Sequence, residues 1–252
     1  NACGQYHPPV QLVKAMVLAA GRGSRLRPLT DHTPKPMIPF AGKPLLEYII
    51  QLLARHGFDQ MVINLSHLPE VIQKYFGDGK DWGVSIEYSL EDELLGTAGA
   101  VRKVADFFDE PFLVYYGDNL TNFDLGEFWA THQREDEIAS IGLLWMDDPT
   151  SRGIIGLDEN NRIDRCIEKP NPAQVFDDYL INAGTYAMQP EILDRIPSDT
   201  ASDFSQDIFT GLLAEGRPLL GHRMQGQLLS TDTPERYQHA IESVDSGSFT
   251  LP

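Results

Sequence analysis

Residues 15–36 read AMVLAAGRGSRLRPLTDHTPKP. Ala15 to Ala19 is a short apolar run ending near glycine, the pattern of a buried parallel strand rather than of a helix. The loop that follows is built on Gly21 and Gly23 and is loaded with positive charge. Arg22, Arg25, Arg27 and Lys35 stand there against one acid, Asp31, in a chain of 252 residues with a formal net charge of −17. From Lys14 to Lys43 there are six Lys or Arg and one acid. A negative protein that binds an anion must concentrate its cations locally. Glycines let the backbone approach a phosphate and expose amide hydrogens to it. The loop lacks the Gly-Lys-Ser/Thr ending of a P-loop, and its G-x-G-x-x-L spacing departs from the dinucleotide fingerprint. A lone G-x-G is equally an ordinary tight turn. Three arginines and a lysine, which repel one another without a counter-anion, argue against that reading, and phosphate is the anion guanidinium suits best.

Outward from this loop the chain alternates. Pro44 to His56 carries Leu45, Ile49, Leu52 and Leu53 at helical spacing, with proline at its start. Gln60–Leu65 reads as a strand, Leu68–Phe76 as a helix closed by Gly77, Val84–Tyr88 as a strand and Thr97–Phe108 as a helix. Phe112–Tyr116 is again an apolar strand, ending at Gly117-Asp118-Asn119. This rhythm predicts right-handed crossovers and an α/β, Rossmann-like, mainly parallel mixed sheet flanked by helices. After about residue 136 the rhythm changes. Strands are expected at 138–146, 153–158, 162–168 and 181–188, helices at 204–215 and 234–244, as an antiparallel excursion from the same domain.

Composition narrows the function classes. Hydrophobic content of 42% and charged content of 23% are those of a soluble globular protein. No apolar run approaches the ~18 residues of a membrane span. The N-terminus has neither a basic nor an apolar leader region, and residues 1–11 read as a flexible tail. The acidic balance argues against nucleic-acid and anionic-membrane surfaces. Two cysteines, Cys3 and Cys166, make no disulfide framework; the expectation is a cytoplasmic protein with a reduced, buried Cys166 thiol.

The stretch LAAGRGSRLRPLTDHTPKP (18–36) closely resembles the signature of the sugar-1-phosphate nucleotidyltransferases, typified by GDP-mannose pyrophosphorylase and glucose-1-phosphate thymidylyltransferase. The resemblance continues in order through Leu95-Gly-Thr-Ala-Gly99, Gly117-Asp-Asn119, Glu168-Lys-Pro170, Asn182-Ala-Gly184 and Thr233-Pro234. It implies one nucleotidyltransferase domain over residues 12–252, with no C-terminal β-helix. It implies the joining of a sugar 1-phosphate to a nucleoside triphosphate (NTP), giving an NDP-sugar and pyrophosphate. Leu94-Leu-Gly-Thr-Ala-Gly favours GTP, ahead of UTP and dTTP.

By the same resemblance Arg25 and Lys35 contact the triphosphate from an exposed loop, Arg25 near the leaving pyrophosphate. Leu18, Ala20, Gly21 and Gly23 lie against the nucleotide, and Gly96 and Thr97 continue the base pocket. Asp118 ligates Mg²⁺. Glu168 and Asn182 hydrogen-bond the sugar hydroxyls and Lys169 pairs with the sugar phosphate. Asp207 occupies the family's later acidic position, although an acid near a helix N-terminus explains it equally well. Read without the family, Gly96 and Thr97 are a helix start, Asp118 a turn aspartate and Glu-Lys-Pro an exposed strand end. Homo-oligomers are common in this family.

One segment departs. The family's G-Y-W-x-D-x-G-T-P becomes Gly226-Gln-Leu-Leu-Ser-Thr-Asp-Thr-Pro234, so Ser230 stands where the second metal aspartate belongs and Asp232 where the glycine belongs. Three readings follow: Mg²⁺ held by one carboxylate, waters and phosphates; Asp232 substituting from two residues along the strand; or a homologue that binds nucleotide sugars, or regulates a partner, without efficient catalysis. A related-sheet glycosyltransferase is a further class, which the arginine loop argues against.

Overall fold

A computed structural model describes residues 13–135, 137–147, 153–167, 170–198 and 200–252. Glu168 and Lys169 lie outside these residues. The first half is built from β1 (Val13–Leu18), β2 (Pro39–Phe40), β3 (Lys43–Pro44), α1 (Leu45–Arg55), β4 (Phe58–Leu65), α2 (Pro69–Phe76), β5 (Ser85–Leu90), α3 (Gly96–Lys103) and β6 (Phe112–Tyr116). β1 and β6 are apolar throughout their centres because both faces are covered. Val17 and Tyr115 enter one hydrophobic cluster with α1, while Met16 and Val114 enter another with α3. That alternation is the period of two expected of a strand.

β1 pairs in parallel with β4 on one edge and with β6 on the other, and β4 pairs in parallel with β5. The spatial order is therefore β6-β1-β4-β5. The chain moves away from β1 in one direction and returns on its opposite side, so the carboxyl ends of β1 and β6 flank a topological switch point. Open α/β sheets bind ligands in the crevice such a reversal creates. The two ends meet closely at Gly117. Its amide donates to the Leu18 carbonyl at 2.9 Å, and a Cβ there would come within 2.8 Å of that oxygen. Only glycine permits this closure.

The second half adds β7 (Asn119–Thr121), α4 (Leu125–Arg134), β8 (Ala139–Leu144), β9 (Ile154–Leu157), β10 (Ile163–Ile167) and β11 (Leu180–Met188). A π-helical turn (Phe204–Phe209) runs into α5 (Thr210–Ala214), followed by β12 (Leu220–Arg223), β13 (Leu228–Ser230) and α6 (Pro234–Asp245). β11 is antiparallel to β6, to β8 and to β9, which makes the sheet mixed. Its register shifts between Asn182 and Tyr186, where Gly184 adopts φ +69 against the side chains of Asn119 and Tyr116.

A third apolar cluster gathers Leu26, Ile38, Phe40, Leu45, Tyr48, Leu120, Ala240 and Phe249. It seats the arginine loop on α6 and on the C-terminal residues.

Three sequence expectations change. The helix expected over 97–108 ends at Lys103 and continues as a separate 3₁₀ turn, Ala105–Phe107. The helix over 204–215 begins as the π-helical turn. Cys166, expected to be buried, is exposed: β10 lies at the sheet edge, where only Ile163 of its five residues is buried. α4 arises where the sequence reading placed no element, opened by Asp124 accepting from Gly126 N and Glu127 N. Among the described residues no helix is long and apolar enough to cross a membrane.

Candidate active site

A cavity of about 280 Å³ opens at the switch point. Leu18, Ala20 and Gly21 line it from the end of β1, Tyr116 and Asp118 from the end of β6, and Gly96 and Thr97 from the start of α3, with Lys35 beneath the loop. Seven of the residues singled out from sequence thus converge on one place. Gly23 contributes differently. It takes φ +62, and a Cβ there would lie 2.9 Å from Lys35 Cβ, so its bare backbone leaves room for the lysine stem.

Lys35 corrects the expectation of an exposed loop. It lies in a 3₁₀ turn, Lys35–Met37, and is only 6% exposed. Its ammonium meets Asp118 Oδ2 at 2.5 Å, while the Asp118 side chain keeps 37% of its surface exposed. A buried lysine without such a partner is strongly disfavoured. Arg25, by contrast, is exposed at 68% and outside the cavity lining; its Nη2 contacts Asp232 Oδ2 at 2.9 Å.

The floor of the cavity is polar and was not anticipated. Asn64 Oδ1 accepts from Ala19 N at 2.7 Å, and Asn64 Nδ2 donates to Glu91 Oε1 at 2.8 Å. Glu91 Oε2 accepts from Leu95 N at 3.1 Å. Both side chains are buried and both line the cavity. Only the position of Glu91, just before Leu94-Leu-Gly-Thr, could have flagged it in the sequence. Asp203, also lining the cavity, was missed as well. It caps the π-helical turn through Ser205 N and Gln206 N and accepts from Thr97 Oγ1 at 2.8 Å. Phe204 N donates back to Thr97 Oγ1 at 2.9 Å. Thr97 therefore joins two helix starts at the cavity wall, and Gly96, with φ +76 and only 2.3 Å between a notional Cβ and Ser202 O, must be glycine for them to meet.

Asn182 is committed to its own fold. Its Nδ2 donates to Tyr186 Oη at 2.9 Å and Ser205 Oγ at 3.0 Å, and its Oδ1 accepts from Gly184 N at 2.8 Å. Tyr186 Oη donates onward to Tyr116 Oη at 3.2 Å, so Asn182 reaches the cavity through a hydroxyl chain. Burial raises the Tyr186 hydroxyl above its ordinary value and the Tyr116 hydroxyl well above it, so both stay protonated donors. Asp207 accepts from Asp203 N at 2.7 Å, the behaviour of an acid at a helix start.

The departing segment runs beside Asp118. β13 pairs with β7 so that Ser230 lies opposite Asn119, and Thr231 Oγ1 donates to the Asp118 carbonyl at 3.2 Å. Asp232 follows, with its carboxylate on Arg236 Nη1 at 3.1 Å and on Arg25. Burial pushes the Asp232 carboxyl up, but the hydrogen bond and charge of Arg236, with the charges of Arg25 and Lys35, outweigh it and hold it below its ordinary value. Among the described residues no group of three or more His, Cys, Asp or Glu is arranged to hold a metal ion. Mg²⁺, however, is typically held by one or two carboxylates together with substrate phosphates. The half-exposed Asp118 at the cavity fits that mode.

The family model for nucleotidyl transferases matches residues 14–237. A UTP–glucose-1-phosphate uridylyltransferase of Synechocystis is 37% identical over 246 residues, covering 92% of this chain and 63% of its own length. A mannose-1-phosphate guanylyltransferase of Mycobacterium tuberculosis is 35% identical over 205 residues, covering 81% of this chain and 56% of its own. The chain thus spans less than two thirds of the length of these relatives. In structure it resembles a putative glucose-1-phosphate thymidylyltransferase of Bacillus anthracis solved with sucrose, with a TM-score of 0.81, 26% identity and coverage of 91% and 94%.

Proposed function

We propose that this chain, which belongs to the nucleotidyl transferase family, joins a sugar 1-phosphate to a nucleoside triphosphate and releases pyrophosphate. The observation that carries the reading is the Lys35–Asp118 pair at the mouth of the switch-point cavity, with the arginine loop above it. A sugar 1-phosphate carries its own nucleophilic oxygen, so the reaction needs two anions brought together and charge stabilised at the α-phosphorus rather than a general base. The phosphate oxygen forms a bond to that phosphorus as the bond to pyrophosphate breaks, and the leaving pyrophosphate takes the electron pair.

In this reading Leu18, Ala20 and Gly21 hold the nucleoside through backbone contacts, and Gly96 and Thr97 close the base pocket. Lys35 neutralises the reacting phosphates from below and Arg25 the pyrophosphate from above. Glu168 would hydrogen-bond the sugar hydroxyls and Lys169 would pair with the sugar phosphate, with Asn182 acting through Tyr186 and Tyr116. Asp118 would hold Mg²⁺ against the phosphates; when bound, the ion withdraws charge from them.

For the base, guanine is our first choice. Glu91 presents an acceptor-only carboxylate to the cavity. Guanine offers two adjacent donors, its ring N–H and exocyclic amine, whereas uracil and thymine offer one N–H between two carbonyls that a carboxylate repels. The test is pyrophosphate release from a panel of sugar 1-phosphates with GTP, UTP, dTTP and ATP in Mg²⁺. GTP should be preferred by at least tenfold in kcat/KM, and Glu91→Gln should narrow that preference towards UTP. Release with UTP alone would overturn the base assignment. No release from any pair, with NDP-sugar still bound, would favour the second reading, a binding homologue, which the serine at position 230 motivates.

A further inference from the structure

Asp232 is the centre of a three-charge cluster. Its carboxylate is only 17% exposed and contacts Arg25 Nη2 at 2.9 Å. It also accepts from Arg236 Nη1 at 3.1 and 3.3 Å. The two arginines come from opposite ends of the chain. Arg25 belongs to the loop after β1, and Arg236 to the first turn of α6, where its amide donates to the capping Thr233 hydroxyl at 3.3 Å. The cluster follows directly from Thr231, which is bonded to the Asp118 carbonyl; its three residues do not line the cavity, but Asp232 is close enough to feel the charge of Lys35. Two guanidiniums sharing one carboxylate leave a net charge of about +1 beside the neutral Lys35–Asp118 pair.

We propose that Arg236 is a third polyphosphate-binding cation of this site, beside Lys35 and Arg25, and that Asp232 is a resident counter-ion that holds Arg25 and Arg236 together until the terminal phosphates of the nucleotide replace it. This rests on the nucleotidyltransferase reading. A phosphate offers each guanidinium the same forked pair of oxygens as a carboxylate, with more charge. Arg25 is the mobile partner, because most of its side chain is exposed. Arg236 is the fixed one, because it sits in the first turn of α6 and its side chain is about half as exposed as that of Arg25. In the absence of nucleotide the carboxylate suppresses the mutual repulsion of the arginines and keeps the loop folded over the cavity. It also competes with the incoming anion, so the clamp trades affinity for a formed shape.

The experiment is calorimetric titration with inorganic tripolyphosphate in EDTA, on the wild-type chain and on Asp232→Asn, Arg236→Gln and Arg236→Lys, each checked by melting temperature. Turnover with NTP and sugar 1-phosphate is measured on the same samples. Asp232→Asn should bind tripolyphosphate about 3- to 10-fold more tightly, Arg236→Gln about 10-fold more weakly, and Arg236→Lys should recover most of the loss. The slope of log affinity against log salt should also fall for Arg236→Gln. Unchanged binding in Arg236→Gln, or weaker binding in Asp232→Asn, overturns the inference while pyrophosphate release continues to support the activity. The expected binding changes without turnover from any substrate pair would instead overturn the activity and leave the polyphosphate clamp standing.

Discussion

Removing either partner of the Lys35–Asp118 pair should have unequal effects on stability and similar effects on turnover. Lys35 is 6% exposed and Asp118 37% exposed in its side chain. Asp118→Asn therefore strands a buried ammonium, whereas Lys35→Met leaves a carboxylate that water can reach. At a charge separation of ~3 Å and an effective dielectric of ~20, Coulomb's law gives about 5 kcal/mol. Hydration of the exposed carboxylate offsets roughly half, leaving a coupling of about 2 kcal/mol, below the ~3–5 kcal/mol typical of breaking fully buried pairs. We expect Asp118→Asn to lose about 2 kcal/mol, a fall in Tm of roughly 4–8 °C for a chain of this size, and Lys35→Met to lose at most about 1 kcal/mol. The double variant should resemble Lys35→Met, since no buried charge remains. Urea unfolding of the four proteins closes the cycle. In the pyrophosphate assay both single variants should lose about 10²–10³ in kcat, the scale of one electrostatic group aimed at developing charge. A larger stability loss for Lys35→Met than for Asp118→Asn would refute the burial reasoning, and unchanged turnover in Lys35→Met would remove Lys35 from the reaction.

Three other outcomes follow from the same geometry. Gly96→Ala places a Cβ 2.3 Å from Ser202 O at φ +76; it should cost about 3 kcal/mol, from the ~1–2 kcal/mol left-handed penalty plus the displaced backbone, and weaken nucleotide binding, so a Tm within about 2 °C of wild type would show that the loop gives way freely. His132 is fully buried against Ser140 at 2.8 Å, and burial lowers its pKa to about 4 from 6.5. The unfolded chain then takes up the proton first, so stability is complete above about pH 6.5, falls by about 3 kcal/mol on acidification towards pH 4 and falls no further from this group below that. His132→Gln should flatten that part of a urea-midpoint profile, and an unchanged slope between pH 6 and 4 would count against it. Ser230→Asp puts a second carboxylate opposite Asn119, so the Mg²⁺ concentration for half-maximal turnover should drop severalfold; no change would mean that position 230 does not face the phosphates.

Much of the nucleotide half was legible in sequence because its signals are local. The apolar run of β1, the glycine closing α2 and the proline at the start of α1 each state a backbone preference within a few residues. The parallel sense of the ladders follows from that rhythm, whereas the reversal that puts β6 beside β1 was decided by the fold. Gly21, Gly96 and Asp118, singled out largely through the family resemblance, do end or begin such elements and line the cavity. Glu91, Asn64 and Asp203 were not singled out. Nothing within a few residues of Asn64 distinguishes a strand asparagine from one that bonds a carboxylate 27 positions away.

The sequence alone therefore determined a cationic, glycine-bearing loop after a buried strand and an α/β rhythm, because charge, period and turn chemistry are written residue by residue; the departure at Ser230 and Asp232 is legible only against the family resemblance. Tertiary structure decided how those charges are spent. It buried Lys35 on Asp118, left Arg25 exposed on Asp232, tied Asn182 into a hydroxyl chain and brought Arg236 to the arginine loop. Each of these pairs joins residues that only the fold brings into contact, or settles which of several nearby partners an ion takes. That choice depends on burial, which a list of residues does not contain.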